Sequence, residues 1–118
     1  MAAKDALGRR GEQIAARHLE SRGLSILDRN WRCPQGEIDL VARDGVEVVF
    51  VEVKTRAGLG YGHPLESITT VKLARLRRLA AAWCEAHPGR HERIRIDAIA
   101  VIAPAGGVVQ IEHLERVF

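Results

Sequence analysis

A chain of 118 residues, 28% charged and 47% apolar, is long enough for one folded core, too short for a second, and ordinary enough in balance to exclude a disordered polymer. Its first residues begin no apolar run of signal-peptide length and no stretch approaches membrane-spanning length, so the expected location is cytoplasmic, with no membrane partner. A net charge of +3, from 18 basic and 15 acidic residues, permits nucleic-acid binding without requiring it.

Residues 3–22 read as a helix, with Gly23 where a left-handed C-cap belongs. Glu12 shares the helical side of Ala15, Ala16 and Leu19 rather than that of the arginines. An acid bordering an apolar face can become a third metal ligand if the helix covers a sheet; the ordinary alternative is a solvated charge meeting Arg9 or Arg10. A strand over 24–32 leads to a turn at Pro34-Gln35-Gly36, with Cys33 just before it. Cys33 and Cys84 lack CxxC spacing, which argues against a zinc site or redox pair and fits reduced structural thiols.

The most informative segment follows. Gly36-Glu37-Ile38-Asp39-Leu40-Val41 and Val49-Phe50-Val51-Glu52-Val53-Lys54 flank Asp44-Gly45, a tight-turn dipeptide, and read as a hairpin. If Arg43 pairs with Val46, Asp39 lies opposite Phe50 and diagonal to Glu52; a four-residue loop instead puts Asp39 directly opposite Glu52. Both registers keep the carboxylates together. Alternation places Glu37, Asp39 and Val41 on one side with Val48, Phe50, Glu52 and Lys54, and leaves Ile38, Leu40, Ala42, Val49, Val51 and Val53 on the other.

Both sides of this hairpin want cover, yet one end carries two acids and a lysine, where desolvation is costly without compensation. A divalent cation supplies it: Mg²⁺, with Mn²⁺ as substitute, is held by one or two carboxylates plus waters and phosphate oxygens. Lys54 would then orient or deprotonate the attacking water, or stabilise charge building on a phosphate. The bland alternative is a solvated polar strip with a cross-strand ion pair.

Beyond the hairpin, residues 58–64 are too rich in glycine for regular structure and border the proposed site. A second helix is expected over 65–87, ended by Pro88-Gly89, with Leu65, Ile68, Leu73, Leu76, Leu79, Ala80 and Trp83 as its apolar stripe. Lys72 falls within that stripe, so it either snorkels outward or meets a negative group, the carboxylates or a bound phosphate. Pro88-Gly89 separates His87 from His91 and discounts them as a metal pair. Strands over 93–103 and 108–114 complete the chain, and Asp97 with Arg95 reads as a buried ion pair organising the sheet.

An aspartate followed by Glu-x-Lys at the end of the next strand resembles the PD-(D/E)XK nuclease superfamily, with Asp39 in the aspartate place, Ile38 replacing the proline before it, and Glu52-Val53-Lys54 as the ExK element. More narrowly, the chain resembles the YraN-like family of small bacterial proteins. The resemblance runs through Gly8-Arg9-Arg10-Gly11-Glu12 with Ala15-Ala16, Asn30-Trp31-Arg32, Gly36 to Val41, Val51 to Arg56, and Arg95-Ile96-Asp97. It implies an α/β, restriction-endonuclease-like single domain over 1–118, in α-βββ-α-ββ order with a mixed central sheet covered by helices. It also implies Glu12 as an addition to the metal shell of Asp39 and Glu52, as in several nucleases of that fold.

The expected activity is Mg²⁺-dependent hydrolysis of phosphodiesters in nucleic acid, DNA before RNA and branched DNA among the candidates, by one ion or two. Lys72 and Arg56 would hold phosphate, and basic residues on both helices would flank the backbone; with few aromatics, base stacking is not the main mode. A homodimer suits a cut in two strands. The alternative is a non-catalytic nucleic-acid-binding module that keeps the nuclease fold. A pure scaffold would leave the inward charges unexplained.

Overall fold

A computed structural model describes residues 2–58, 60, 62–89, 91 and 93–117, with side chains from Asp5 onward. Helix α1 (Ala2–Ser21) is followed by strands β1 (Ser25–Cys33), β2 (Gly36–Asp44) and β3 (Glu47–Arg56). A 3₁₀ turn (Pro64–Ser67), helix α2 (Thr70–Ala86) and strands β4 (Arg93–Ile102) and β5 (Gln110–Leu114) complete the order. The five strands lie side by side in sequence order; β3 and β4 run parallel and the other neighbours antiparallel, so α2 is the crossover that a parallel pair needs. This is the mixed α/β sheet of a restriction-endonuclease-like fold.

Each face of the sheet is covered once. On one side Leu40, Ala42, Val49, Val51, Ile99 and Val101 pack under Ala15, Ala16 and Leu19 of α1. On the other, Ile38, Val41, Val48, Phe50 and Ile96 pack against Leu76, Leu79, Ala80 and Trp83 of α2. A sheet buried on both faces needs apolar residues at odd and even positions alike, which β3 supplies with Val48, Val49, Phe50 and Val51, all fully buried.

Helix α1 ends as its sequence dictates. Gly23 sits at a φ of 90°, its N–H bonds Glu20 O at 3.0 Å, and the next N–H, of Leu24, bonds Leu19 O at 3.0 Å, a Schellman motif. Where α1 crosses β3, Gly11 is required by space: a Cβ there would stand 1.8 Å from Thr55 Oγ1. Gly8, three residues earlier on the same helix, has nothing within 4 Å of that position. Gly11→Ala is therefore expected to lower the urea midpoint, by about 1–3 kcal/mol of overpacking. Gly8→Ala should raise it, by up to about 1 kcal/mol of helix propensity. Equal midpoints for the two variants would refute this close approach.

Three expectations are corrected. The β2–β3 turn is Gly45-Val46, closed by Asp44 opposite Glu47, rather than Asp44-Gly45. Gly45 alone is left-handed, at a φ of 60°, as a type II′ turn needs. The expected 65–87 helix is divided, because Pro64 opens a separate 3₁₀ turn and Thr69 caps α2 by accepting from the Lys72 N–H at 3.2 Å. Leu65 and Ile68 thus lie outside α2. Ile38, expected on the side of Leu40 and Ala42, packs on the α2 side, past the point where main-chain pairing of β2 with β3 ends at Leu40. Within the glycine-rich stretch, Leu59 and Tyr61 lie outside the described residues.

Candidate functional site

Main-chain pairing of β2 with β3 closes at Leu40 opposite Val51, so continuing the register puts Asp39 on the rung of Glu52, the second of the two arrangements open from sequence. That rung is not closed by the backbone. Instead Asp39 Oδ2 accepts from the Val53 N–H at 2.8 Å, and the side chain takes over a ladder position. On β3, Val51 and Val53 belong to the α1-side core, so alternation directs Glu52 and Lys54 to the other side of the strand. Lys54 Nζ lies 3.4 Å from Glu52 Oε1, both side chains largely shielded from solvent.

Asp39 carries the electrostatic signature of the site. Burial first, then the charge of Glu52, push its carboxyl from 3.8 up to about 7, and Glu12 and Glu37 add to the rise against the pull of the Val53 N–H. Asp39 and Glu52 thus form a shielded acid pair, with Glu12 and Glu37 near enough to add to its charge. An all-oxygen donor set of this kind fits a hard divalent cation. Ligand atoms of Asp97, His113 and Glu115 lie within 4.8 Å of one another, whereas Glu12, Asp39 and Glu52 are not gathered as closely.

Glu12 and Lys54 line one cleft of about 690 Å³ with Leu7, Gly8, Arg56 and Gly58. Glu12 also lines a second, of about 490 Å³, with Arg9, Asn30, Arg32 and Glu37. Its carboxylate pairs with neither Arg9 nor Arg10 but accepts from Asn30 Nδ2 at 2.9 Å. Arg56 donates to Thr55 O at 3.0 Å. Lys72 stands half-buried in the first turn of α2 and does not line either cleft. Among the described residues no carboxylate forms an ion pair with it, so of the two expectations for Lys72 the structure shows no acid as its partner.

The cluster at Asp97 is a different structure. Arg95 donates from Nε at 3.1 Å and from Nη2 at 3.2 Å, His113 Nε2 lies 2.8 Å away, and the Arg116 N–H bonds Oδ1 at 3.0 Å. Burial works to raise the Asp97 carboxyl, but the bonds from His113, Arg116 and Arg95 together outweigh it and hold it below the usual range. The set could hold a metal ion, yet the Arg95 guanidinium already brings a cation to Asp97, Asp44, Glu47 and Glu115. The buried Arg95–Asp97 pair read from sequence is therefore present. His113 and, beyond it, His18 at 3.1 Å were missed, because residues 16 and 95 positions apart carry no local signal of contact.

A restriction-endonuclease-like sheet whose central strands part around an acid pair and a lysine defines the class to which this protein belongs. Residues 11–101 match the model of the "Uncharacterised protein family UPF0102". The chain belongs to that family, in agreement with its YraN-like resemblance. Similar curated relatives, each a "UPF0102 protein", come from Beutenbergia cavernae and Arthrobacter sp., both 56% identical over 117 residues and 99% of each chain. A third, from Clavibacter michiganensis subsp. michiganensis, is 58% identical over 106 residues and 90% of each chain. No helix among the described residues is long and apolar enough to cross a membrane.

Proposed function

We propose that this protein is a metal-dependent nuclease that hydrolyses phosphodiester bonds in nucleic acid, DNA before RNA. The observation that carries the reading is Asp39, a shielded carboxyl raised to about 7 by burial and by Glu52, at the point where β2 and β3 separate. Asp39 and Glu52 would hold Mg²⁺ or Mn²⁺, with Glu12 adding to the shell. The ion, when bound, supplies the positive charge the acids lack and neutralises a phosphate oxygen. The Val53 N–H fixes Asp39 Oδ2, which leaves Oδ1 to turn outward. Lys54, paired with Glu52, is placed to orient the attacking water or to stabilise charge on the phosphate. Arg56, on the cleft wall, and Lys72, in the first turn of α2, are the cations assigned to phosphate.

Purified protein and its Asp39→Ala variant, incubated with branched, duplex and single-stranded substrates and Mg²⁺ or Mn²⁺, test this. Cleavage that falls on the order of 10²–10³ in the variant supports the enzyme. Binding by both without cleavage would decide for a nucleic-acid-binding module. Cation affinity should also follow pH. Asp39 must be ionised to ligate, so below its value of about 7 the calorimetric Mn²⁺ affinity should fall about tenfold per pH unit, with proton release on binding. A flat profile between pH 5 and 8, roughly the range that brackets this group, would contradict that role.

A further inference from the structure

We propose that Asn30 is the positioning residue for Glu12, holding that carboxylate for the cation; the inference rests on the reading of the site given above. Asn30 sits at a φ of 48°, a left-handed conformation that a strand does not need and that Asn tolerates better than most residues. Pairing of β1 with β2 passes over it, with Arg29 opposite Leu40 and Trp31 opposite Ile38, so Asn30 occupies the rung of Asp39. Asn30, Asp39 and Glu52 thus form one row across three strands, a row the backbone leaves unclosed on both sides of Asp39. Strained backbone of this kind persists where the surroundings overdetermine it, and it clusters at functional sites.

The turned backbone accompanies a side chain that reaches α1. Asn30 Nδ2 donates to Glu12 Oε1 at 2.9 Å, and since a carboxylate only accepts, the amide nitrogen must be the atom facing it. Next door, Arg29 Nη1 donates to Gln13 Oε1 at 2.7 Å, so two successive residues of β1 grip two successive residues of α1. Glu12 stands between the two clefts and feels Asp39 electrostatically. With Oε1 held and no second partner bonded to Glu12 among the described residues, Oε2 is the oxygen left to turn to an ion beside Asp39. Asn30 acts through Glu12; it is a holder of the ligand and not a ligand.

Asn30→Gly separates backbone from side chain, because glycine keeps the positive φ without strain and removes the amide. Mn²⁺ is titrated by calorimetry into the unaltered protein, Asn30→Gly, Glu12→Ala and the double variant, with thermal melting alongside. Asn30→Gly should melt at or above the unaltered protein yet bind Mn²⁺ about tenfold or more weakly, as loss of a partner behind a metal ligand does. In the Glu12→Ala background it should change affinity less than about twofold, because the group it positions is gone. Asn30→Asp, which keeps the shape but sets a like charge against Glu12, should weaken binding at least as much as Asn30→Gly. Unchanged affinity in Asn30→Gly, or an equal loss with and without Glu12, would overturn the role of Asn30 and leave the cation site standing. No Mn²⁺ binding by the unaltered protein would overturn the site itself and this inference with it.

Discussion

Asp39→Asn should stabilise the cation-free protein at pH 8. The folded-state carboxyl is raised from 3.8 to about 7, so between those values the folded protein holds a proton there that the unfolded chain has released, and above them the ionised form is held at a cost. Stability from this group is fully present below the unfolded value and is lost as pH rises through about 7. Above that, the ionised carboxylate costs the fold about 4 kcal/mol at most, at roughly 1.36 kcal/mol per pH unit. An asparagine keeps an acceptor for the Val53 N–H and offers Glu52 a donor in place of a charge.

The expected gain is about 2–4 kcal/mol at pH 8, seen as a Tm higher by on the order of 10 °C, shrinking toward zero near pH 4. Saturating Mn²⁺ should stabilise the unaltered protein and leave the variant unmoved, which closes or reverses the gap. A variant less stable at pH 8 would mean that a cation of the protein already neutralises Asp39. A group that weakens the fold until its ligand arrives is the pattern by which function is kept against stability.

Arg95→Ala should destabilise the sheet strongly. Arg95 is 6% exposed and Asp97 fully buried, and the guanidinium also reaches Asp44, Glu47 and Glu115. Its removal strands the Asp97 carboxylate with only His113 and the Arg116 N–H beside it. Breaking a buried pair from one side costs about 3–5 kcal/mol. For a domain of this size that lowers Tm by on the order of 10 °C or more in thermal melts. Adding Asp97→Asn should recover part of the loss, since the stranded charge goes with it. A melt within about 0.5 kcal/mol of the unaltered protein would show that the pair organises nothing.

The element order was legible because the signals were local. Gly23 marked its cap, alternation marked β2 and β3, and Pro88-Gly89 marked the end of α2. Where the reading slipped, a distant contact or an unmarked break decided. Asp44 and Glu47 both engage Arg95 from about fifty residues away, and no local rule weighs that against Asp44-Gly45 as the turn. Leu65 and Ile68 continue the apolar period of α2, so periodicity could not reveal that Thr69 begins a new helix. The acid pair was legible as spacing, but the parting of β2 from β3, at which Asp39 meets the Val53 N–H and Ile38 joins the other core, leaves no mark in the alternation of residues. Asn30 stood in the matching stretch Asn30-Trp31-Arg32, but nothing local in the sequence tied it to Glu12, eighteen residues away.

Two clusters in this molecule offer carboxylates that could hold a cation, one at Asp39 and Glu52 and one at Asp97, His113 and Glu115. Anomalous scattering from a crystal soaked in Mn²⁺ distinguishes them directly. A peak is expected within about 2.0–2.3 Å of carboxylate oxygens of Asp39 and Glu52. A peak at Asp97, or none at millimolar Mn²⁺ and pH 8, would contradict it.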